Sequence, residues 1–159
     1  MTPQGLEHIH SLVIHCSATR EGVNLTAADI DEMHKARGWA MIGYHRVYRL
    51  DGSVEQGRPY TRRGAHVRGN NINTLGLVYI GGLDENGNPK DTRTSEQRHA
   101  MFADILSIRN LCPNITKISG HRDYSPDLNG DGLITPDEWI KVCPCFDVAK
   151  WLETLRYSV

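Results

Sequence analysis

No apolar stretch in the 159 residues approaches the roughly 20 that a bilayer-crossing helix needs. Met1 to Ser11 is polar and mixed, without the basic and then apolar run of a secretory leader. Synthesis and residence in the cytoplasm are therefore expected, with any outside target reached only after release. An excess of one charge is also missing. Lys and Arg number 18 against 19 Asp and Glu, a formal net charge of -1. Such a surface has no strong field to draw the chain onto nucleic acid or an anionic membrane. Arg58, Arg62, Arg63 and Arg68 fall close together, and this run reads as a solvated loop. There is no internal repeat, low-complexity tract or long linker. The length suits one domain over residues 1–159, and a monomer is expected.

Cysteines are few: Cys16, Cys112, Cys143 and Cys145. A cytoplasmic chain argues against a disulfide framework. Cys143 and Cys145 are too close in sequence to bridge each other without strain. The spacing does not match a four-cysteine zinc finger. A working cysteine here would act beside histidines.

What is present alternates between strand and helix patterns. His8 to His15 reads as a strand. Thr26 with Asp29 forms a capping box that opens a helix to about Arg37, with Ile30, Met33 and Arg37 on one side and Gly38 as the stop. Tyr44 to Leu50 reads as a strand, Asp51-Gly52 as a hairpin turn, and Ser53 to Gly57 as the returning partner. Leu75 to Ile80 is a compact apolar run, the mark of a buried strand, ended by Gly81-Gly82 and the turn formers of 84–91. Thr94 with Gln97 is a second capping box. Its helix runs to about Leu111, with Met101, Ile105, Ile108 and Leu111 on one face. A short strand is expected over Ile115 to Ser119. Asp147 is the N-cap of a last helix through Leu155, with Val148, Trp151, Leu152 and Leu155 apolar. The fold class is α/β, with a mixed central β-sheet flanked by helices.

Three residues stand where strands end or loops stiffen: His15, His121 and Cys143. Two imidazoles and a thiolate make a three-ligand zinc set that leaves a fourth position for water. Their spacing alone also allows core or surface histidines with no metal.

The local words around them are more specific. They are Val13-Ile14-His15-Cys16-Ser17-Ala18-Thr19, Gly43-Tyr44-His45, Asp51-Gly52-Ser53-Val54-Glu55-Gln56-Gly57-Arg58, Gly64-Ala65-His66-Val67-Arg68-Gly69, Gly120-His121-Arg122-Asp123 and Lys141-Val142-Cys143-Pro144-Cys145-Phe146-Asp147. In this order, from about Leu12 to Trp151, they resemble the type 2 N-acetylmuramoyl-L-alanine amidases. That family includes phage lysozyme-like endolysins and animal peptidoglycan recognition proteins.

The resemblance implies a zinc ion in a surface cleft, held by His15, His121 and Cys143, with Cys145 set aside. It implies that Tyr44 assists catalysis and that Lys141 stabilises the transition state. It implies that His66, in a loop with Asn70, Asn71 and Asn73, lines the groove for the peptide stem of peptidoglycan. The expected reaction is hydrolysis of the amide between N-acetylmuramic acid and L-alanine, in a phage or prophage endolysin. One branch of the family carries a catalytic glutamate in the strand that here reads Gly76-Leu77-Val78-Tyr79-Ile80-Gly81. No carboxylate stands there, so the general base is unassigned. The rival expectation is a non-catalytic module on the same fold that binds peptidoglycan or a polymerase.

A second metal pattern lies between two of the zinc positions. Asp127, Asn129, Asp131, Gly132 and Glu138 match positions 1, 3, 5, 6 and 12 of a calcium loop, with Leu133 offering its carbonyl. Residues 127–138 are thus expected to be an insertion that binds calcium. The helix that would lead into a full EF-hand is missing, and an Asx/Gly turn without an ion has the same composition.

Overall fold

The structure, a computed structural model, describes residues 2–156; Met1 and residues 157–159, the ends of the expected domain, lie outside them. In chain order the strands and α-helices are β1 (Ser11–Cys16), β2 (Thr19–Arg20), α1 (Ala27–Ala36), β3 (Arg46–Tyr48), β4 (Val54–Gln56), β5 (Thr74–Tyr79), β6 (Gly82–Leu83), α2 (Ser95–Leu111), β7 (Lys117–Gly120) and α3 (Val148–Arg156). Single turns of 3-10 helix cover Leu6–His8, His121–Tyr124 and Pro136–Glu138.

A five-stranded sheet runs in the order β4-β3-β5-β1-β7. β1 pairs in parallel with β5 and β7, and β3 in parallel with β5. Only β3 and β4 are antiparallel in it, joined through the expected Asp51-Gly52 turn. The sheet is mixed, as anticipated. Parallel strands are covered on both faces, and every residue of β1 and β5 is buried. That is why both read as near-continuous apolar runs.

Strand alternation sorts these residues between two cores. Leu12, Ile14 and Cys16 of β1 and Leu75, Leu77 and Tyr79 of β5 pack with Met101, Ile105 and Ile108 of α2 and Val148 and Trp151 of α3. Val47 and Val78 face the other way, against Ala27 and Ile30 of α1. His15, between Ile14 and Cys16, falls on this second face.

Both capping boxes form. Thr26 Oγ1 accepts the Asp29 N–H at 3.1 Å while Asp29 accepts the Thr26 N–H at 2.8 Å. Thr94 and Gln97 repeat the exchange at 3.0 and 2.9 Å. Gln97 does more than cap. Its side-chain N–H groups donate to the carbonyls of Tyr48 and Ile80 at 3.1 and 2.9 Å, which ties α2 to the ends of β3 and β5. Asp147 accepts the Lys150 N–H at 3.0 Å, the expected cap of α3.

Several expectations need correction. The first strand begins at Ser11 rather than His8, because Leu6–His8 closes its own turn. The strand expected over Tyr44 to Leu50 shortens to Arg46–Tyr48, which leaves Tyr44 in the preceding loop. Met33 is 42% and Leu111 57% exposed. The buried stripe of α1 follows Ala27, Ile30 and His34, turning Met33 outward, and Cys112 takes the buried place beyond α2. Arg58 is not solvated: it is 6% exposed. Its guanidinium donates to the carbonyls of Ile42 at 2.7 Å and Arg63 at 2.6 Å, cross-linking two loops. The paired dipeptides β2 and β6 are too short to carry a pattern in sequence.

His45 is fully buried just before β3. Its Nδ1 accepts the Gly76 N–H at 3.0 Å and its Nε2–H donates to Arg62 O at 2.8 Å. Only the neutral ring makes both bonds, and burial pushes its pKa down to about 4. An unfolded histidine titrates near 6.5. The unfolded chain therefore takes up this proton first as the pH falls. The contribution is present above about pH 6.5 and is lost on acidification toward about pH 4, by about 3 kcal/mol. Urea unfolding measured from pH 7 to 4 should show this loss, and His45→Asn should flatten the slope. Equal slopes in the two proteins would remove the assignment.

Candidate metal centre

Three separate segments deliver the candidate ligands. His15 is the fifth of six residues in β1 and is 1% exposed. His121 opens the 3-10 turn that follows β7 directly. Cys143 lies in the chain leading to α3. Among the described residues, these three form the group of His, Cys, Asp or Glu side chains placed to share one metal ion, their ligand atoms all within 4.8 Å of one another. Cys143 Sγ is 3.8 Å from His15 Nδ1, and the two histidine rings are 4.8 Å apart, steeply inclined. A tetrahedral ion with bonds of about 2.0–2.3 Å holds its ligands roughly 3.5 Å apart, so the donors fit with small adjustment. His121 and Cys143 are half-buried, which leaves the group open to solvent on their side.

Backbone bonds hold the segments in place. The Arg122 N–H donates to Cys143 O at 2.8 Å, joining the segments of the second and third ligands. The Cys16 N–H points at Cys143 Sγ at 3.2 Å. The Tyr79 hydroxyl donates to Pro144 O at 2.6 Å, anchoring the turn to β5. Cys145 turns elsewhere, toward Cys16 and the Gly82 carbonyl.

His66 is 9% exposed and lies beside His15, edge-on at 5.1 Å. The loop holds it by Asn71, whose side-chain Oδ1 accepts the backbone N–H groups of His66 and Val67 at 2.8 and 2.9 Å. A Cβ at position 76 would come within 2.6 Å of the His66 ring, so the ring can lie against β5 only because that residue is Gly76.

A chain of bonds starts at Asn70 O, which accepts the Thr74 hydroxyl at 2.9 Å. Having spent its hydrogen, Thr74 Oγ1 accepts from His66 Nε2 at 3.2 Å. His66 Nδ1 is then the acceptor for His15 Nε2–H at 3.0 Å. Donor logic thus leaves the lone pair of His15 on Nδ1, the atom facing Cys143. Burial, and then the neighbouring rings, push the pKa of His15 and His66 well down, so both stay neutral as the chain of bonds requires. Burial first and Lys141 second push His121 down too. Neutral imidazoles are what a metal takes. Thr74 and His45 carry no sequence signal of this role; only the pairing of β1 with β5, Ser11 beside Thr74, brings Thr74 under the ring.

Tyr44 sets its half-buried ring 5.1 Å from His15. Burial, and then Cys143 and Cys16, push its phenol above the usual range, so it stays protonated. Lys141 is exposed, two residues before Cys143 and close enough to depress His121.

In residues 127–138 the acidic side chains already serve their own loop. Asp127 accepts the N–H groups of Gly130 and Gly132, each at 2.8 Å. Asp131 accepts the Leu133 N–H at 2.9 Å. Glu138 takes the Leu128 N–H at 2.7 Å and the Thr135 N–H at 3.0 Å, with the Asn129 N–H at 3.2 Å.

No family model matches the chain. Individual proteins do. It is 34% identical over 141 residues to the endolysin of Enterobacteria phage K11, spanning 89% of this chain and 83% of that one. An uncharacterized Haemophilus influenzae protein is 45% identical over 105 residues, 66% of this chain and 90% of its own. Among solved structures, the N-acetylmuramoyl-L-alanine amidase LysC from Clostridium intestinale superposes with a TM-score of 0.71 at 28% identity, over 98% of this chain and 91% of that one.

The bond chain behind His15 can be tested without any reaction. Thr74→Val removes the acceptor of His66 and frees it to adopt the other tautomer. Metal affinity, measured by competition with a chromogenic chelator, should fall by roughly 10–100-fold. Unchanged affinity would show that Thr74 does not order the ligand.

Proposed function

The chain belongs to the type 2 N-acetylmuramoyl-L-alanine amidase family, and we propose that it is a zinc-dependent endolysin. It hydrolyses the amide between N-acetylmuramic acid and L-alanine in bacterial peptidoglycan. The observation that carries this reading is the convergence of His15, His121 and Cys143, open to solvent beside Tyr44.

Two imidazoles and one thiolate suit zinc and leave a coordination position free. Zinc held there supplies a Lewis acid for the scissile carbonyl and acidifies water to a pKa of about 7. The protein's own groups do the rest. His15, locked by His66, presents Nδ1 without reorientation. The Lys141 ammonium is assigned to the oxyanion that develops on the carbonyl. Tyr44, kept protonated, donates a hydrogen bond that orients water or the carbonyl. The peptide stem lies on the solvent side, over His121 and Cys143, and His66 acts behind the site through His15. Calcium bound by Asp127, Asn129, Asp131, Leu133 and Glu138 is a separate proposal supported by the sequence pattern alone. Such an ion would set the distance between His121 and Cys143.

Purified protein incubated with peptidoglycan should release stem peptides with a new L-alanine amino terminus. A chelator should stop the release and zinc restore it. Lys141→Ala and Tyr44→Phe should each lower kcat by roughly 100-fold while zinc stays bound. One equivalent of zinc with no release from any wall type would favour a binding module instead. For calcium, the melting temperature should rise on titration to millimolar ion, and a flat response would remove that proposal.

A further inference from the structure

Cys16 and Cys145 are not among the candidate ligands, yet their sulfurs touch. Cys16 follows His15 on β1, and alternation sends its side chain to the opposite face of the sheet, into the core under α2 and α3. Cys145 arrives from the other side of the turn that carries Cys143. Its N–H closes that turn onto Val142 O at 2.8 Å, with the residue in the left-handed region at φ 71°. Its Sγ lies 3.9 Å from Cys16 Sγ and 3.3 Å from Gly82 O. A side chain at position 82 would sit within 2.5 Å of Cys16 Sγ, so Gly82 leaves the space the two sulfurs occupy. Both residues are free thiols. Cys112 sits apart from them, capping the far end of α2.

We propose that Cys16 and Cys145 are a modification site: a dithiol that a small-molecule disulfide such as oxidised glutathione converts to an intramolecular disulfide. Cys145 is half-buried and reacts first; Cys16, 6% exposed, resolves. The Cys145 thiolate attacks one sulfur of the reagent, forming a mixed disulfide and releasing one thiol. The Cys16 thiolate then attacks the Cys145 sulfur and releases the second. Two protein thiols are oxidised, one reagent disulfide is reduced to two thiols, and the protein's two protons pass to the departing thiolates. Cys143 is spared because its sulfur faces His15 Nδ1 and receives the Cys16 N–H. That sparing rests on the metal reading; the contact of Cys16 with Cys145 does not.

The bond would join residues 129 apart in sequence. Closing so long a loop removes conformations mainly from the unfolded chain. It would also fasten the segment bearing Cys143 to the strand bearing His15. A protein leaving a reducing compartment would thereby gain rigidity at the metal centre.

The test uses zinc-loaded protein equilibrated in reduced and in oxidised glutathione, then denatured, alkylated and mapped by mass spectrometry. The expected map has the Cys16 and Cys145 peptides cross-linked, with the loss of two hydrogens. Cys112 and Cys143 carry the alkyl group, and zinc remains at one equivalent. The melting temperature should rise by roughly 5–10 °C on oxidation, and Cys145→Ser should melt alike in both buffers. Four alkylated cysteines after oxidation, a glutathione adduct that persists on Cys145, or a bridge to Cys143 with loss of zinc would each overturn the proposal. The wild-type map decides whether or not the variant folds.

Discussion

His15 sits in an interior strand of the sheet, 1% exposed, with two ring nitrogens that must each find a partner. On one side β5 and the loop before it provide His66, itself held through Thr74 to a backbone carbonyl. On the other side, ordinary protein partners stop, and the nitrogen faces Cys143 and His121. The architecture around the ring follows from that division. Gly76 gives His66 room against the strand. Asn71 ties down the loop that carries it. His45 fills the adjoining space and holds Gly76 and Arg62 in turn. A polar cluster this deep is stable only when fully connected, and these bonds connect it with every imidazole neutral.

The second and third candidate ligands come from chain that has little regular structure of its own. Their positions are borrowed from the sheet. β7 pairs with β1 and delivers His121 at its end. The turn at Cys143 is then fastened to Arg122, Cys16 and Tyr79. One of these anchors uses a side chain, and two use backbone groups that any residue would offer. The residues between the two ligands, 127–138, close on Asp127 and Glu138 rather than on the sheet. They leave Leu128 and Leu133 exposed. The candidate metal centre thus combines a rigid wall, built from β1 and β5, with a stitched-on half.

Much of this was legible before folding. Both capping boxes, the Asp51-Gly52 hairpin and the buried runs at β1 and β5 are local patterns, and each formed, the strands with shifted ends. Boundaries and faces were less legible. Met33 and Leu111 keep helical spacing but point outward, because the buried stripe depends on where the sheet lies. Arg58 reads as solvated from composition, yet it is buried with its guanidinium on carbonyls of two loops, those of Ile42 and Arg63. The two-residue strands β2 and β6 are made by pairing alone.

The sequence by itself determined the inventory: ordered motifs, two imidazoles and a thiolate, and an α/β alternation. Those are properties of local spacing and side-chain chemistry, which need no partner from elsewhere in the chain. Tertiary structure decided the roles. From sequence, His66 reads as a residue of a Gly/Asn loop that lines the groove. It became the partner of His15 because parallel pairing of β1 with β5 sets the loop behind the ring. Cys145 and Cys143 are two residues apart and chemically alike. The turn between them sends one sulfur to the histidines and the other to Cys16, a distinction of direction that only packing makes.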